Sequence, residues 1–228
     1  MSAEQWEGLC DDWLGAIGPF EEMAVYQPRQ ASRIGLGLLL IGHRRPVTFV
    51  KARPENSKLE NERRALIAVS ASRPTSFSAA VPLAHGRHLG WEWLALSSLP
   101  PRLHRPPRRP PVEAIVEDVR AALRPALDPA GVAGTWQPMH GDLTPWNLRQ
   151  FDRAGLWLTD WEDASWGPPG ADEAYYRATA AALSLSPVER SPYQEAVSFW
   201  QEKLRNRTTT GTGELNLAIL EALDSMAR

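Results

Sequence analysis

The chain has 228 residues, 43% of them apolar and 23% charged, so it is long enough to bury a core in one large domain or two small lobes. Lys and Arg total 25 against 27 for Asp and Glu, and this balance gives no general argument for a nucleic acid or an anionic membrane as a partner. The single cysteine, Cys10, excludes an intramolecular disulfide and is typical of a reducing compartment. The longest apolar run, residues 34–41, is far shorter than the roughly 20 residues that span a bilayer, and no leader peptide opens the sequence. We therefore expect a cytoplasmic protein that binds neither membrane nor nucleic acid.

The first part of the sequence predicts a helix followed by a small antiparallel sheet. Apolar side chains recur at helical spacing over residues 4–17. The pattern then changes to that of three β-strands, at residues 24–26, 34–41 and 47–51. The third strand ends at Lys51.

A second helix is predicted over residues 57–66. Glu62 has leucines three residues before it and four residues after it, so it lies near the apolar face that meets the sheet, whereas Glu60 points more to the side. Glu62 is therefore the better partner for Lys51. An exposed lysine at a strand end is the alternative interpretation of Lys51.

The next stretch predicts a hairpin, a linker and a further helix. The hairpin strands are expected at residues 80–83 and 89–96, around a turn centred on Gly86. Residues 100–111 contain six prolines and five basic side chains. They indicate a solvated linker, although a basic patch could also contact phosphate or nucleic acid. Residues 112–127 carry apolar side chains at helical spacing and should pack beneath the segment that follows.

The segment 139–176 carries the polar residues that suggest a site. Asp142 is flanked by a glycine and a proline that rule out a regular helix, so its carboxylate lies on a loop. Asn147 follows five residues later, and an alternating run at residues 156–159 predicts a strand that ends at Asp160. A hairpin-like return would bring the three side chains together. Alone, His-x-Asp is commonly just a hydrogen-bonded turn, but the other two residues at these intervals favour a site.

These residue types suit phosphoryl transfer from a nucleotide, which depends on metal ions and on an acceptor hydroxyl held in line. Mg²⁺ prefers oxygen ligands, which Asn147 and Asp160 supply. Asp142 can then orient the acceptor hydroxyl and accept its proton, a role worth about 10²- to 10⁴-fold in rate. The same order of residues is found in the protein-kinase catalytic loop, H-x-D-x-x-x-x-N, and the metal-binding Asp that follows it.

The segment resembles the aminoglycoside phosphotransferase and choline kinase-like family. The resemblance rests on HGDLTPWNL at residues 140–148, LTDWE at 158–162 and GPPGAD at 167–172, in the family's order. It implies a two-lobed, protein-kinase-like fold and the phosphorylation of a small-molecule hydroxyl with ATP or GTP and Mg²⁺. It also implies that His140 organises the catalytic loop rather than acting as acid or base, and that Asp172 braces this loop from the next helix.

The resemblance further implies a nucleotide site in which Lys51 holds the phosphates and Glu62 orients Lys51. A G-x-G-x-x-G loop is absent. Ser32 and Arg33, in the turn before the second strand, could contact phosphate instead, with an exposed turn arginine as the equal alternative.

The hinge between the lobes is expected at Leu94, Ala95 and Leu96, whose backbone groups would bind the nucleobase. Backbone recognition leaves no side-chain signature, so the sequence does not distinguish ATP from GTP.

After Asp172 the sequence predicts three helices that would form the acceptor-binding wall, at residues 174–185, 192–204 and 214–227. From residue 161 onward ten acidic residues face six basic ones, which favours a cationic acceptor, although a solvated surface explains the excess equally well. Trp161 and Trp166 flank the metal segment, where they could bind an amine through their ring faces or belong to the core.

The sequence as a whole predicts an α+β, two-lobed protein-kinase-like fold, with a nucleotide-binding lobe of residues 1–97, a hinge and linker of 98–111, and a catalytic and acceptor-binding lobe of 112–228. The expected reaction is O-phosphorylation of an antibiotic such as an aminoglycoside, or of an amino-alcohol or sugar metabolite, by a monomer or homodimer. A nucleotide-binding pseudokinase or regulatory module is the alternative, favoured by the missing glycine loop and the short C-terminal region. A protein kinase is disfavoured, because the loop reads His-Gly-Asp and no A-P-E segment follows.

Overall fold

The structure is a computed structural model that describes residues 2–27, 34–43, 45–55, 58–152, 154–184, 186–207 and 213–228. Its first part is a five-stranded antiparallel sheet with the strand order β1-β2-β3-β5-β4. The strands are β1 (Glu22–Tyr26), β2 (Leu36–Gly42), β3 (Arg45–Pro54), β4 (Pro82–His88) and β5 (Trp91–Ser97).

A helix covers each face of this sheet. Helix α1 (Ala3–Ile17) begins at a capping box, in which Ser2 and Gln5 satisfy each other's backbone N–H groups, and it buries Leu9 and Trp13 against the β2–β3 face. Helix α2 (Leu59–Ser72) packs on the opposite face. Because side chains alternate along a strand, Phe49 and Lys51 of β3 point to the α2 face, while the residue between them is buried on the α1 face.

The second part of the chain is mainly helical and carries two short ladders. Strand β6 (His104–Arg105) pairs with β8 (Leu148–Phe151), which pairs in turn with β9 (Gly155–Leu158). Strand β7 (Gln137–Met139) pairs with β10 (Ser165–Gly167), and a 3₁₀ turn, Trp161–Asp163, lies between β9 and β10. The helices are α3 (Val112–Leu123), α4 (Ala171–Ala182), α5 (Gln194–Arg207) and α6 (Gly213–Ala227).

One core cluster joins the two parts of the chain. Leu94 and Leu96 from the five-stranded sheet, residues of α2 and α3, and the paired Leu148 and Leu158 from β8 and β9 belong to it. A second cluster lies between α4, α5 and α6 around the stacked rings of Tyr175 and Trp200. The predicted α+β class, with an antiparallel sheet and a helical part, is confirmed. None of the helices among the described residues combines the length and apolarity needed to cross a bilayer.

The expected turn centred on Gly86 is wrong. Gly86 lies within β4, and the chain turns at Leu89 and Gly90, both of which have a positive φ. The glycine serves packing instead, since a Cβ at this position would stand 2.7 Å from Cζ2 of Trp93 on the neighbouring strand. The sequence therefore indicated a turn at a glycine that is needed for packing.

The Pro-rich stretch is also more ordered than a solvated linker. His104 and Arg105 pair with the outer edge of β8, and the His104 ring lies 5.0 Å from that of Phe151. The predicted helix over 112–127 ends earlier, at Leu123, and α4 begins at Ala171 rather than at residue 174.

Candidate active site

The catalytic loop leaves the end of β7 at His140 and is held from below by α4. Asp172, in the first turn of α4, accepts hydrogen bonds from the backbone N–H of His140 (2.7 Å) and of Gly141 (3.1 Å). Gly141 has a φ of 78°, and a Cβ there would collide with the carbonyl of Asp163. Only glycine fits this close approach of the loop to the 3₁₀ turn without strain.

Asp142 and Asn147 are joined across this loop. The Asn147 side-chain amide donates to the carboxylate Oδ2 of Asp142 (2.8 Å) and to its backbone carbonyl (2.9 Å). Because the amide nitrogen of Asn147 is used in this way, its Oδ1 is the oxygen left to face a cation. Asp142 itself is half-buried and its N–H donates to Nδ1 of His140.

The β8–β9 hairpin returns the chain to the loop. Thr159 donates its N–H and its hydroxyl to the Asn147 carbonyl, at 3.0 and 3.2 Å, and so extends the ladder by one pair. Asp160 follows in the left-handed region, with a φ of 69°, a conformation that non-glycine residues adopt at a cost of about 1–2 kcal/mol. This bend directs the Asp160 carboxylate to Lys51 on the five-stranded sheet.

Lys51 lies between two carboxylates. Its Nζ is 2.8 and 2.9 Å from the two oxygens of Glu62 on α2 and 2.8 Å from Oδ1 of Asp160. Burial alone would lower the pKa of Lys51, but attraction by Glu62 and Asp160 outweighs it and raises that pKa. Burial raises the pKa of Glu62, against the attraction of Lys51. Glu60, the competing residue on this helix, is exposed and pairs with Arg63.

Helix α2 makes further contacts with the segment after Asp160 that sequence reasoning missed. The Asn61 side chain donates to the backbone carbonyls of Glu162 (3.0 Å) and Ala164 (2.9 Å), and Lys58 forms an ion pair with Asp163. An Asn beside Glu62 on the same helix was the only available signal, and it has no meaning until the segment that faces the helix is known.

The groups beneath the loop are buried and have shifted pKa values. Burial lowers the pKa of His140 to about 4, so its imidazole is neutral near pH 7. Burial raises the pKa of Asp172 to about 6, against the two backbone N–H groups that it accepts. His140 also packs edge-on against Trp161, at 4.6 Å between ring centroids. A neutral, enclosed His140 that accepts from the Asp142 N–H suits a positioning residue.

The donor atoms of the site are all oxygens. Carboxylate oxygens of Glu62, Asp160 and Glu162 lie within 4.8 Å of one another, and Asn147 supplies an amide oxygen nearby. A hard cation such as Mg²⁺ fits this set better than a soft transition metal.

Two expectations change with the structure, and a third concerns residues that it does not describe. Leu94, Ala95 and Leu96 lie in an inner strand whose backbone is paired with β3 on one side and β4 on the other, so their backbone groups are not available to a nucleobase. Trp161 is 1% exposed and belongs to the core, which excludes its ring face as an amine site. Ser32 and Arg33 lie outside the described residues.

Residues 102–202, which include the whole catalytic loop and Asp160, match the model of the phosphotransferase enzyme family, APH. This segment belongs to that family. The family recognised from the three motifs is thus confirmed. None of the curated proteins matches the sequence.

Solved structures extend the likeness to nearly the whole chain. A predicted fructosamine-3-kinase from Haemophilus somnus 129PT has a TM-score of 0.57 at 10% identity, with 98% of each chain covered. Aminoglycoside phosphotransferase APH(3'')-Id from Streptomyces rimosus ATCC10970 has a TM-score of 0.55 at 14% identity, covering 100% of this chain and 99% of its own. Amicoumacin kinase hAmiN, in complex with AMP-PNP, Ca²⁺ and Ami, has a TM-score of 0.53 at 10% identity, covering 97% and 78%. At these identities the likeness shows the kinase-like fold.

Proposed function

We propose that this protein transfers the terminal phosphoryl group of ATP or GTP to a hydroxyl of a small molecule, with Asp142 as the base. One observation carries the proposal. The described residues bring Lys51, Glu62 and Asp160 into one hydrogen-bonded cluster, and the ladder from Thr159 to Asn147 links this cluster to Asp142. These groups come from four separate segments, which are β3, α2, the catalytic loop and the end of β9, and a purely structural role explains no such convergence of charge at one cleft.

Asn147 and Asp160 are the proposed metal ligands, with Glu162 close enough to join them. Mg²⁺ held there would neutralise charge on the nucleotide phosphates. Lys51 provides a second cation for the phosphates, and Glu62 keeps its ammonium directed into the cleft.

Asp142 has the contacts that a positioned base requires. Asn147 holds one carboxylate oxygen, and His140 accepts the backbone N–H of the same residue. In the proposed step, the acceptor oxygen bonds to the terminal phosphorus while the bond from that phosphorus to the bridging oxygen breaks and the nucleoside diphosphate leaves. Asp142 takes the proton of the acceptor hydroxyl.

The nucleobase is assigned to the connection that follows β5. The N–H and carbonyl of Leu99 make no hydrogen bond to any residue within the described ranges, and the two prolines after it have no N–H to offer. Leu99 thus replaces residues 94–96 as the proposed backbone contact.

A cationic acceptor is supported by a cavity of 560 Å³ beside α5. The Trp136 indole donates to Glu195 there and meets the Phe199 ring edge-on, and Glu202 adds a second carboxylate against the single ammonium of Lys203. The Lys203 ammonium already lies over the Phe199 ring, 5.5 Å from its centroid, so the two carboxylates and the Trp136 ring are the groups that favour an amine. The cavity adjoins the start of β7, and the other end of β7 leads into the catalytic loop.

The test is a nucleotide-consumption screen with Mg²⁺ and ATP or GTP against aminoglycosides, other antibiotics, amino alcohols and neutral sugars. We expect turnover that depends on an amine-bearing acceptor. Asp142→Asn should lower kcat by about 10²- to 10⁴-fold, because the base is lost while the side chain keeps its shape. Asp152→Asn, which changes an exposed carboxylate in the β8–β9 turn, is the matched control and should have normal turnover.

Near-normal kcat in Asp142→Asn would show that another group is the base. Nucleotide binding without transfer to any acceptor would support the pseudokinase instead.

A further inference from the structure

Arg149 is a half-buried cation that has no counter-charge within the described residues. It lies on β8, two residues after Asn147, and makes no hydrogen bond or ion pair with any part of the chain that the structure describes. Desolvation is the cause of its lowered pKa. Arginine is rarely left without a partner when it is withdrawn from water, so a ligand group is the expected partner.

Strand alternation places Arg149 on the cleft side of the β8–β9 hairpin. Leu148 and its register partner Leu158 are fully buried in the core and define the opposite face. Arg149 and its own partner, Trp157, therefore share the other face, and the pair formed by Asn147 and Thr159 continues that face into the site.

Phe49 occupies the corresponding place on the facing wall. It lies two residues before Lys51 on the same face of β3, and its ring reaches beneath Gly37, where a Cβ would stand 3.1 Å from Cζ. The contact between Lys51 and Asp160 joins the two walls at the metal end of the cleft.

From the contact between Lys51 and Asp160, β3 on one wall and β8 on the other both lead toward the connection that follows β5. Phe49 pairs with Leu96, immediately before the connection that carries Leu99. On the other wall, β8 continues past Arg149 to Phe151, which pairs with His104 at the far end of the same connection. Phe49 and Arg149 therefore flank the space between the phosphate end of the cleft and the proposed nucleobase contact.

We infer that Arg149 forms one face of the nucleobase pocket, opposite Phe49, and stacks its guanidinium on the purine ring. This inference rests on the proposed nucleotide-dependent function. The guanidinium is planar and weakly hydrated, so it can stack on a π-face as an ammonium cannot. Adenine and guanine both present such a face, so Arg149 strengthens the binding of ATP and GTP without choosing between them.

Stacking is favoured over a phosphate contact by position. Residues two apart on a strand are separated by roughly 7 Å, so Arg149 lies that far from Asn147 along β8, in the direction away from Lys51 and Asp160. The phosphates already have those two groups, whereas no other charged side chain of β8 shares the face of Arg149.

The experiment distinguishes binding of the nucleobase from binding of the phosphates. Isothermal titration calorimetry measures the affinity of adenosine, Mg-ATP, Mg-GTP and tripolyphosphate, with no acceptor present. We expect Arg149→Leu to weaken adenosine, Mg-ATP and Mg-GTP by the same factor, about 5- to 30-fold, and to leave tripolyphosphate unchanged. Arg149→Lys, which keeps the charge but not the plane, should recover little of the loss.

Arg105→Leu is the matched control, because Arg105 pairs with Gln150 on the neighbouring strand and is exposed on the opposite face. It should bind all four ligands as the parent protein does. Equal adenosine affinity in the parent and in Arg149→Leu would overturn the inference, as would a loss confined to the phosphate-bearing ligands. If the parent bound no nucleotide, the proposed function would fail and the inference with it. Circular dichroism checks that the variants fold, and Arg149→Met replaces the leucine variant if it does not.

Discussion

At one end of the cleft Lys51 lies between two carboxylates, whereas at the other end Arg149 has no counter-charge among the described residues. The first cation is held in place before any ligand arrives. The second has lost part of its hydration without a partner in return. For the proposed nucleotide site, this difference predicts that the protein preorganises the phosphate end and that the ligand completes the nucleobase end.

The largest effect is expected from Lys51→Met, which leaves Glu62 buried without its partner. We expect a loss of about 2–4 kcal/mol in the free energy of unfolding at pH 8. The loss should be smaller at pH 5. Burial already raises the pKa of Glu62 in the folded protein, and the loss of Lys51 raises it further. A carboxyl group whose pKa is raised on folding contributes to stability at low pH, and this contribution is lost as the pH rises through the folded-state pKa.

Urea unfolding at the two pH values measures this effect. Lys58→Met is the control, because Lys58 also pairs with a carboxylate after Asp160 but is 57% exposed, so less than about 1 kcal/mol should be lost. Equal losses in the two variants would contradict the distinction between a buried and an exposed pair.

The catalytic loop offers a second comparison, between the effects of pH on stability through His140 and through Asp172. The pKa of His140 falls from 6.5 to about 4 on folding, so its contribution to stability is present above pH 6.5 and is lost as pH falls toward 4. The pKa of Asp172 rises from 3.8 to about 6, so its contribution is present below pH 3.8 and is lost as pH rises toward 6. The two effects oppose each other in the parent protein.

Removing one group at a time should change the free energy of unfolding in opposite directions as the pH changes. Relative to the parent, His140→Asn should gain stability as pH falls from 6.5 to 4, and Asp172→Asn should gain it as pH rises from 4 to 6. Each slope is at most about 1.4 kcal/mol per pH unit. Urea midpoints at several pH values measure both, and slopes of the same sign would show that burial does not set the two pKa values.

The smallest effect belongs to the unbalanced end. Arg149→Leu removes a half-buried cation that has no partner, so we expect the ligand-free protein to gain about 0.5–1 kcal/mol and a few °C in Tm. Saturating Mg-ATP should then raise the Tm of the parent more than that of the variant. Differential scanning fluorimetry measures both shifts, with Arg105→Leu as the control. A fall in the Tm of the ligand-free variant would indicate that Arg149 is structural.

The catalytic loop was largely predictable because its contacts are local in the chain. Asp142 contacts His140, two residues before it, and Asn147, five residues after it, so their spacing already carries the geometry. The pairing of Lys51 with Glu62 also followed from the sequence, since helical periodicity decides which of two glutamates lies on the buried face.

Elsewhere the residue type was visible but its environment was not. The sequence predicts a hinge at Leu94, Ala95 and Leu96, yet pairing with β3 and β4 uses their backbone groups. Gly86 read as a turn, yet its missing side chain makes room for Trp93 on the next strand. Such features depend on the neighbouring strand, and strand neighbours are not encoded within one segment.

The sequence alone was enough to predict the chemistry of the candidate site, since the proposed oxygen ligands, base and lysine belong to motifs whose spacing is set by short loops and a single helix. Only the tertiary structure decided how the charges of those groups are balanced. Lys51 meets Asp160 across 109 positions in the chain, and Arg149 meets no carboxylate at all within the described residues. Burial and distance between remote segments set those interactions, and neither quantity exists until the chain has folded.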